Sequence, residues 1–139
     1  MIEIRNVTKR YGEHAVVDRV SLTIPRGGVT SIIGANGAGK STLLSIISRL
    51  LPADEGTVTV DGMDVATTPT ERLARRLAIL RQDNHMPVRL TVRELVAFGR
   101  FPHTGGRLTA EDHRLVDEAL RYFELTDLAD RHLDQLSGG

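Results

Sequence analysis

Gly34-Ala35-Asn36-Gly37-Ala38-Gly39-Lys40-Ser41-Thr42 fits the pattern G-x-x-x-x-G-K-[ST] over its whole length. Before it, Val29-Thr30-Ser31-Ile32-Ile33 reads as a buried strand, and after it Leu43-Leu44-Ser45-Ile46-Ile47 continues as an apolar helix. Strand, loop and helix in that order are the setting in which such a loop cradles phosphate. Glycines at 34, 37 and 39 open backbone conformations closed to residues with a Cβ. The loop through Asn36 and Ala38 can therefore turn successive N–H groups inward, at the positive end of the following helix. Lys40 is then placed to neutralise β- and γ-phosphates, Ser41 to offer its hydroxyl to Mg²⁺, and Thr42 to hold an α- or β-phosphate.

The rest of the composition narrows the partners. The 139 residues make about one domain, with 18 basic and 18 acidic side chains that cancel. No general field draws such a chain to nucleic acid or to an anionic membrane, and none is expected as a partner. There is no cysteine, and the histidines at 14, 85, 103, 113 and 132 show no i, i+4 pairing, so a structural metal is not expected. No apolar run approaches the roughly twenty residues of a membrane span, and Met1-Ile2-Glu3-Ile4-Arg5 lacks the apolar core of a signal peptide. The expected location is the cytoplasm. Lysine occurs only at 9 and 40, which makes Lys40 stand out.

Ile2-Glu3-Ile4-Arg5-Asn6-Val7 and Val20-Ser21-Leu22-Thr23-Ile24 alternate apolar with polar residues and predict half-buried strands, with Pro25-Arg26-Gly27-Gly28 turning into the strand before the loop. The loop helix is expected to end near Leu51-Pro52. Gly56-Thr57-Val58-Thr59-Val60 followed by Asp61-Gly62 predicts a hairpin. Thr68-Pro69-Thr70-Glu71 predicts a helix capped by Thr68 and running to about Arg76, then a strand over Leu77-Ala78-Ile79-Leu80. Beyond Gln82 the texture is helical. Thr91-Val92-Arg93-Glu94 and Thr109-Ala110-Glu111-Asp112 look like capping boxes, the second opening a helix with Leu115, Ala119, Leu120 and Phe123 on one face. The division expected is an α/β part over 1–84 and a helical part over 85–139.

Four features in this order resemble the ATP-binding subunit of ABC transporters, over the whole chain: Tyr11, the P-loop Gly34–Thr42, Gln82 at a strand end, and Leu136-Ser137-Gly138-Gly139. Taken singly, Tyr11 also fits a core-packing aromatic, Gln82 a solvated loop residue, and Leu136-Ser137-Gly138-Gly139 a helix stop with a tail. The resemblance implies the α/β P-loop NTPase fold of the ABC ATPase, with an N-terminal β subdomain, the P-loop core and the start of a helical subdomain. It implies ATP and Mg²⁺ as cofactors. Tyr11 would stack on adenine, with Val16 beside it. Gln82 would serve catalysis by coordinating Mg²⁺ and holding a water near the γ-phosphate. Ser137, Gly138 and Gly139 would reach the γ-phosphate of ATP held by a second subunit, so that two subunits sandwich two ATP molecules. Implied partners are that second subunit, transmembrane permeases that dock the chain on the cytoplasmic face of the membrane, and indirectly a substrate-binding protein.

Leu90 to His103 resembles the segment after the Gln loop in importers of iron–siderophore complexes, haem and cobalamin, with ferric siderophores the best match. Two other readings fit the same motifs: a non-hydrolytic nucleotide-binding or docking fragment, and a soluble ABC ATPase without a transporter. The sequence stops at Gly139, inside the signature sequence that Leu136-Ser137-Gly138-Gly139 would begin by this resemblance, which suggests an N-terminal fragment. The resemblance places the Walker B aspartate, the adjoining glutamate and the switch histidine beyond that point. The 139 residues by themselves are therefore expected to hydrolyse ATP poorly, and to leave the strand before the P-loop without its neighbours.

Overall fold

A computed structural model describes residues 1–80 and 89–136. The chain divides into two compact units, 1–79 and 80–139. In the first, the alternating segments form a four-stranded antiparallel sheet, β1 (Ile2–Tyr11), β2 (His14–Ile24), β3 (Glu55–Val60) and β4 (Met63–Asp64), in the order β2-β1-β3-β4. The β3–β4 turn is Asp61-Gly62, with φ of 51° and 78°, the paired positive angles of a two-residue hairpin. Asp61 also accepts from Arg26 Nε at 2.8 Å, joining this turn to the one that leads toward the P-loop.

Helix α1 (Lys40–Ile47) buries Leu43, Ile46 and Ile47 among Ile4, Val7 and Val17 of β1 and β2 and Val58 and Val60 of β3. Val65 and Leu73 close the same core, Leu73 from helix α2 (Thr70–Ala74). Burying a side chain of this size contributes about 1.5–3 kcal/mol, so this cluster anchors the start of α1, where the P-loop ends.

Several expectations are corrected. Val29–Ile33 and Leu77–Leu80 pair with no strand among the described residues, and Val29, Ile33 and Leu80 are 99%, 91% and 89% exposed. Apolar content alone does not make a strand: the ladder needs a neighbour, and the four antiparallel strands pair only with one another. The helix after the P-loop stops at Ile47, short of Leu51, as Arg49 takes a φ of 59° and Leu50 N–H turns back to Ser45 O. Helix α2 begins one residue later than predicted, with Pro69 at the cap position and no side-chain cap from Thr68.

The second unit is helical, with α3 (Val92–Phe98), α4 (Phe101–Thr104) and α5 (Ala110–Tyr122). Both capping boxes form, Thr91 with Glu94 and Thr109 with Asp112. Its core gathers Val92, Val116, Leu120 and Ala129. The buried stripe of α5 is Asp112, Val116 and Leu120, and Phe123 is 67% exposed, so the predicted face was rotated. The cause lies in Asp112. Its carboxylate accepts from Thr109 Oγ1, Thr109 N–H and Arg100 Nε, and these three bonds let a charged residue take a core-facing position.

Candidate functional site

The P-loop ends on Gly39, which caps α1 with φ 82° and no side-chain hydrogen bond. No acidic residue stands in the first turn of α1, so nothing there neutralises the positive helix end. A Cβ added at Gly39 would lie 2.3 Å from the carbonyl oxygen of Val16. The backbone of β2 thus touches the head of α1, and only glycine permits it. Gly37 has the same φ of 82° but open space around its Cβ position. A Cβ added at Gly34 would meet Ala38 Cβ at 3.6 Å, an ordinary contact.

Lys40 Nζ donates to Gly34 O at 2.8 Å and to Ala35 O at 2.7 Å, so the ammonium folds back over the entrance of its own loop. Ala38 N–H bonds Ala35 O at 3.2 Å. Asn36, Gly37, Ala38 and Ser41 are exposed and Thr42 is half-buried. Exposed backbone, an ammonium and a hydroxyl at a helix head suit a polyphosphate, and the Ser41 oxygen is the hard donor that Mg²⁺ prefers. The other lysine is committed elsewhere. Lys9 Nζ donates to Asp54 Oδ1 at 2.7 Å while Arg10 N–H donates to Oδ2. These bonds, Lys9's first, hold the Asp54 carboxyl below its usual range.

Tyr11 ends β1, 55% exposed, and pairs directly with His14 at the start of β2. Gly12, with φ 60°, opens the two-residue connection. Two rungs on, the register jumps from Arg10↔Ala15 to Lys9↔Val17, which leaves Val16 as the extra residue of a β-bulge. The bulge turns the Val16 carbonyl toward Gly39, a contact that alternation does not predict. Its one trace in the sequence is the run Ala15-Val16-Val17, where three apolar residues interrupt the period of two. The structure thus brings Val16 against Gly39, the last residue of the P-loop before α1, with Tyr11 on the end of the same hairpin. Gln82, Ser137, Gly138 and Gly139 lie outside the described residues. Among the described residues no cluster of acidic or histidine side chains is arranged to hold a metal, and no helix is long and apolar enough to cross a membrane.

A glycine loop at the head of a helix packed on a sheet defines a P-loop nucleotide-binding fold. Within that class the sequence profile of the ABC transporter family matches residues 17–139, and the chain belongs to that family. It is 50% identical over all its 139 residues to the petrobactin import ATP-binding protein YclP of Bacillus subtilis, covering 55% of that protein. To the ferric enterobactin transport ATP-binding protein FepC of Escherichia coli it is 42% identical, over 96% of this chain and 50% of the other. The chain thus spans about half the length of the curated relatives it matches. Among solved structures, 99% of it superposes on 64% of the ATP-binding cassette MJ0796, in a dimer bound to ADP and phosphate, with TM-score 0.76 and 32% identity. The fold is that of the ABC ATPase cassette.

Proposed function

We propose that the chain is the nucleotide-holding part of an ATP-binding subunit that powers an importer of iron–siderophore complexes. The observation that carries the nucleotide reading is the contact of the Val16 bulge with Gly39. Tyr11, exposed at the end of the same hairpin, would then stand beside the loop at the helix head. Stacking on Tyr11 would hold the base with little base selectivity, and Val16 would pack beside it. The N–H groups from Gly34 through Asn36, Gly37, Ala38 and Gly39, together with Lys40 and Thr42, would hold the phosphates. Lys40 must first leave Gly34 O and Ala35 O, so nucleotide exchanges one set of acceptors for another. Mg²⁺, held by Ser41 and Gln82, would neutralise phosphate charge. Gln82 would also orient the attacking water, and Ser137, Gly138 and Gly139 would contact the γ-phosphate bound to a second copy. The dimeric, ADP- and phosphate-bound state of the similar cassette supports that pairing.

The cargo reading rests on the relatives, whose names cover petrobactin, iron(3+)-hydroxamate and ferric enterobactin transport. Coupling to permeases would place the subunit at the cytoplasmic face of the membrane. Residues 1–84 would be the ATP-binding α/β core and 85–139 the helical part that leads to the signature. The test is titration of Mg·ATP, Mg·GTP and inorganic triphosphate against wild type, Lys40→Ala and Tyr11→Ala. Lys40→Ala should abolish tight binding of all three with the fold retained. Tyr11→Ala should weaken ATP and GTP alike and leave triphosphate nearly unchanged. Unchanged ATP affinity in Lys40→Ala sinks the cradle assignment, and an equal loss for all three ligands in Tyr11→Ala makes Tyr11 structural.

A further inference from the structure

We infer that His14 is a second contact to the nucleoside, reading the edge of the base whose face Tyr11 holds; this rests on the nucleotide reading above. Three observations carry it. Tyr11 and His14 are direct partners in the antiparallel ladder, so their side chains leave the same face of the sheet with Cβ atoms about 5 Å apart. That face is the one α1 packs on. Tyr11 stands two residues after Lys9, the extra residue in this stretch falls on β2, and Lys9 pairs with Val17, which is buried with Leu43 of α1. The bulge at Val16 then holds the hairpin end against Gly39, so both side chains stand on the cradle side of the sheet.

The imidazole of His14 is exposed and engages no hydrogen bond or ion pair among the described residues. Stacking on Tyr11 alone cannot distinguish one purine from another, because every base presents a π-face. An imidazole offers one donor and one acceptor, and a base lying on Tyr11 brings its polar edge over the neighbouring rung. The inference therefore assigns base selectivity to His14 and base affinity to Tyr11.

The test uses the protein as its gene encodes it, with Mg·ATP, Mg·GTP and inorganic triphosphate titrated against wild type, His14→Ala and His14→Gln. His14→Ala should weaken ATP roughly fivefold, the loss of one hydrogen bond, and should change the ATP-to-GTP preference. Triphosphate should shift less than about twofold. His14→Gln, which keeps a donor and an acceptor, should recover at least half of the loss. Unchanged ATP affinity in His14→Ala, an equal loss for ATP and triphosphate, or no recovery in His14→Gln each overturns the assignment. A wild type that folds but binds none of the three ligands overturns the nucleotide reading instead.

Discussion

Replacing Gly39 by alanine, set against the same change at Gly37, isolates the contact on which the site geometry depends. Both glycines have a φ of 82°. A Cβ in the left-handed region costs about 1–2 kcal/mol, so backbone strain is common to the two variants. Around Gly37 nothing lies within 4 Å of the added Cβ, and strain is the whole effect expected there. At Gly39 the Cβ would meet Val16 O at 2.3 Å and Val16 C at 3.3 Å. A carbon and a carbonyl oxygen need about 1 Å more, and both atoms belong to backbone, so α1 or the β2 bulge must move. Overpacking of this kind adds about 1–3 kcal/mol, for about 2–5 kcal/mol at Gly39 in all. Urea unfolding of the two variants measures the difference, and Mg·ATP titration should rank them the same way, since moving α1 away from the bulge separates cradle from hairpin. If both are destabilised to within about 0.5 kcal/mol of each other, the Val16 contact is not a constraint on the loop.

Val116→Ala should destabilise the helical unit by about 2 kcal/mol, whereas Phe123→Ala should cost less than about 0.5 kcal/mol, since Val116 is buried and Phe123 exposed; thermal melts with the opposite ranking would restore the face read from sequence. The hydroxyl of Thr109, then its N–H and the Arg100 guanidinium, lower the Asp112 carboxyl to about 2. An unfolded aspartate titrates near 3.9, so Asp112 stabilises the fold fully above that value and loses its contribution as pH falls toward 2. Stability measured by denaturant from pH 5 to 2 should fall less steeply in Asp112→Asn than in wild type, and parallel curves would refute the role.

The glycine loop at the head of α1 was legible because its pattern is local. Glycine spacing, Lys40 and Ser41 stand within nine residues, and α1 begins where the pattern places it. The capping boxes at Thr91 and Thr109 and the Asp61-Gly62 turn were legible for the same reason: each is a contact between residues at most three apart. What failed depends on residues distant in the chain. The face of α5 was misread because Asp112 is held inward by Arg100, twelve residues away, and a polarity pattern counts any aspartate as solvent-facing. The bulge at Val16 escaped because its one mark, the apolar run Ala15-Val16-Val17, reads equally as the start of a buried strand. Val29–Ile33 was read as a strand from its apolar content, but a ladder is a property of two segments.

That same segment bears on how the cradle is held. Val29 and Ile33, which lead into the loop, are almost wholly exposed, and no strand pairs with them among the described residues. On its other side the loop is fixed twice over, by Leu43, Ile46 and Ile47 anchoring α1 to the sheet and by Gly39 against Val16. Lys40 adds a third tie, from the helix head back to Gly34 O and Ala35 O. With the entrance side unpaired, the register between hairpin and loop falls to the core of α1 and to the bulge at Val16. That inserted residue in β2 thereby fixes how the hairpin end carrying Tyr11 is held against the head of α1. A chain lacking Val16 would oppose Val17, Ala15 and His14 one for one to Lys9, Arg10 and Tyr11, keep the faces of His14 and Ala15, and remove the carbonyl that meets Gly39.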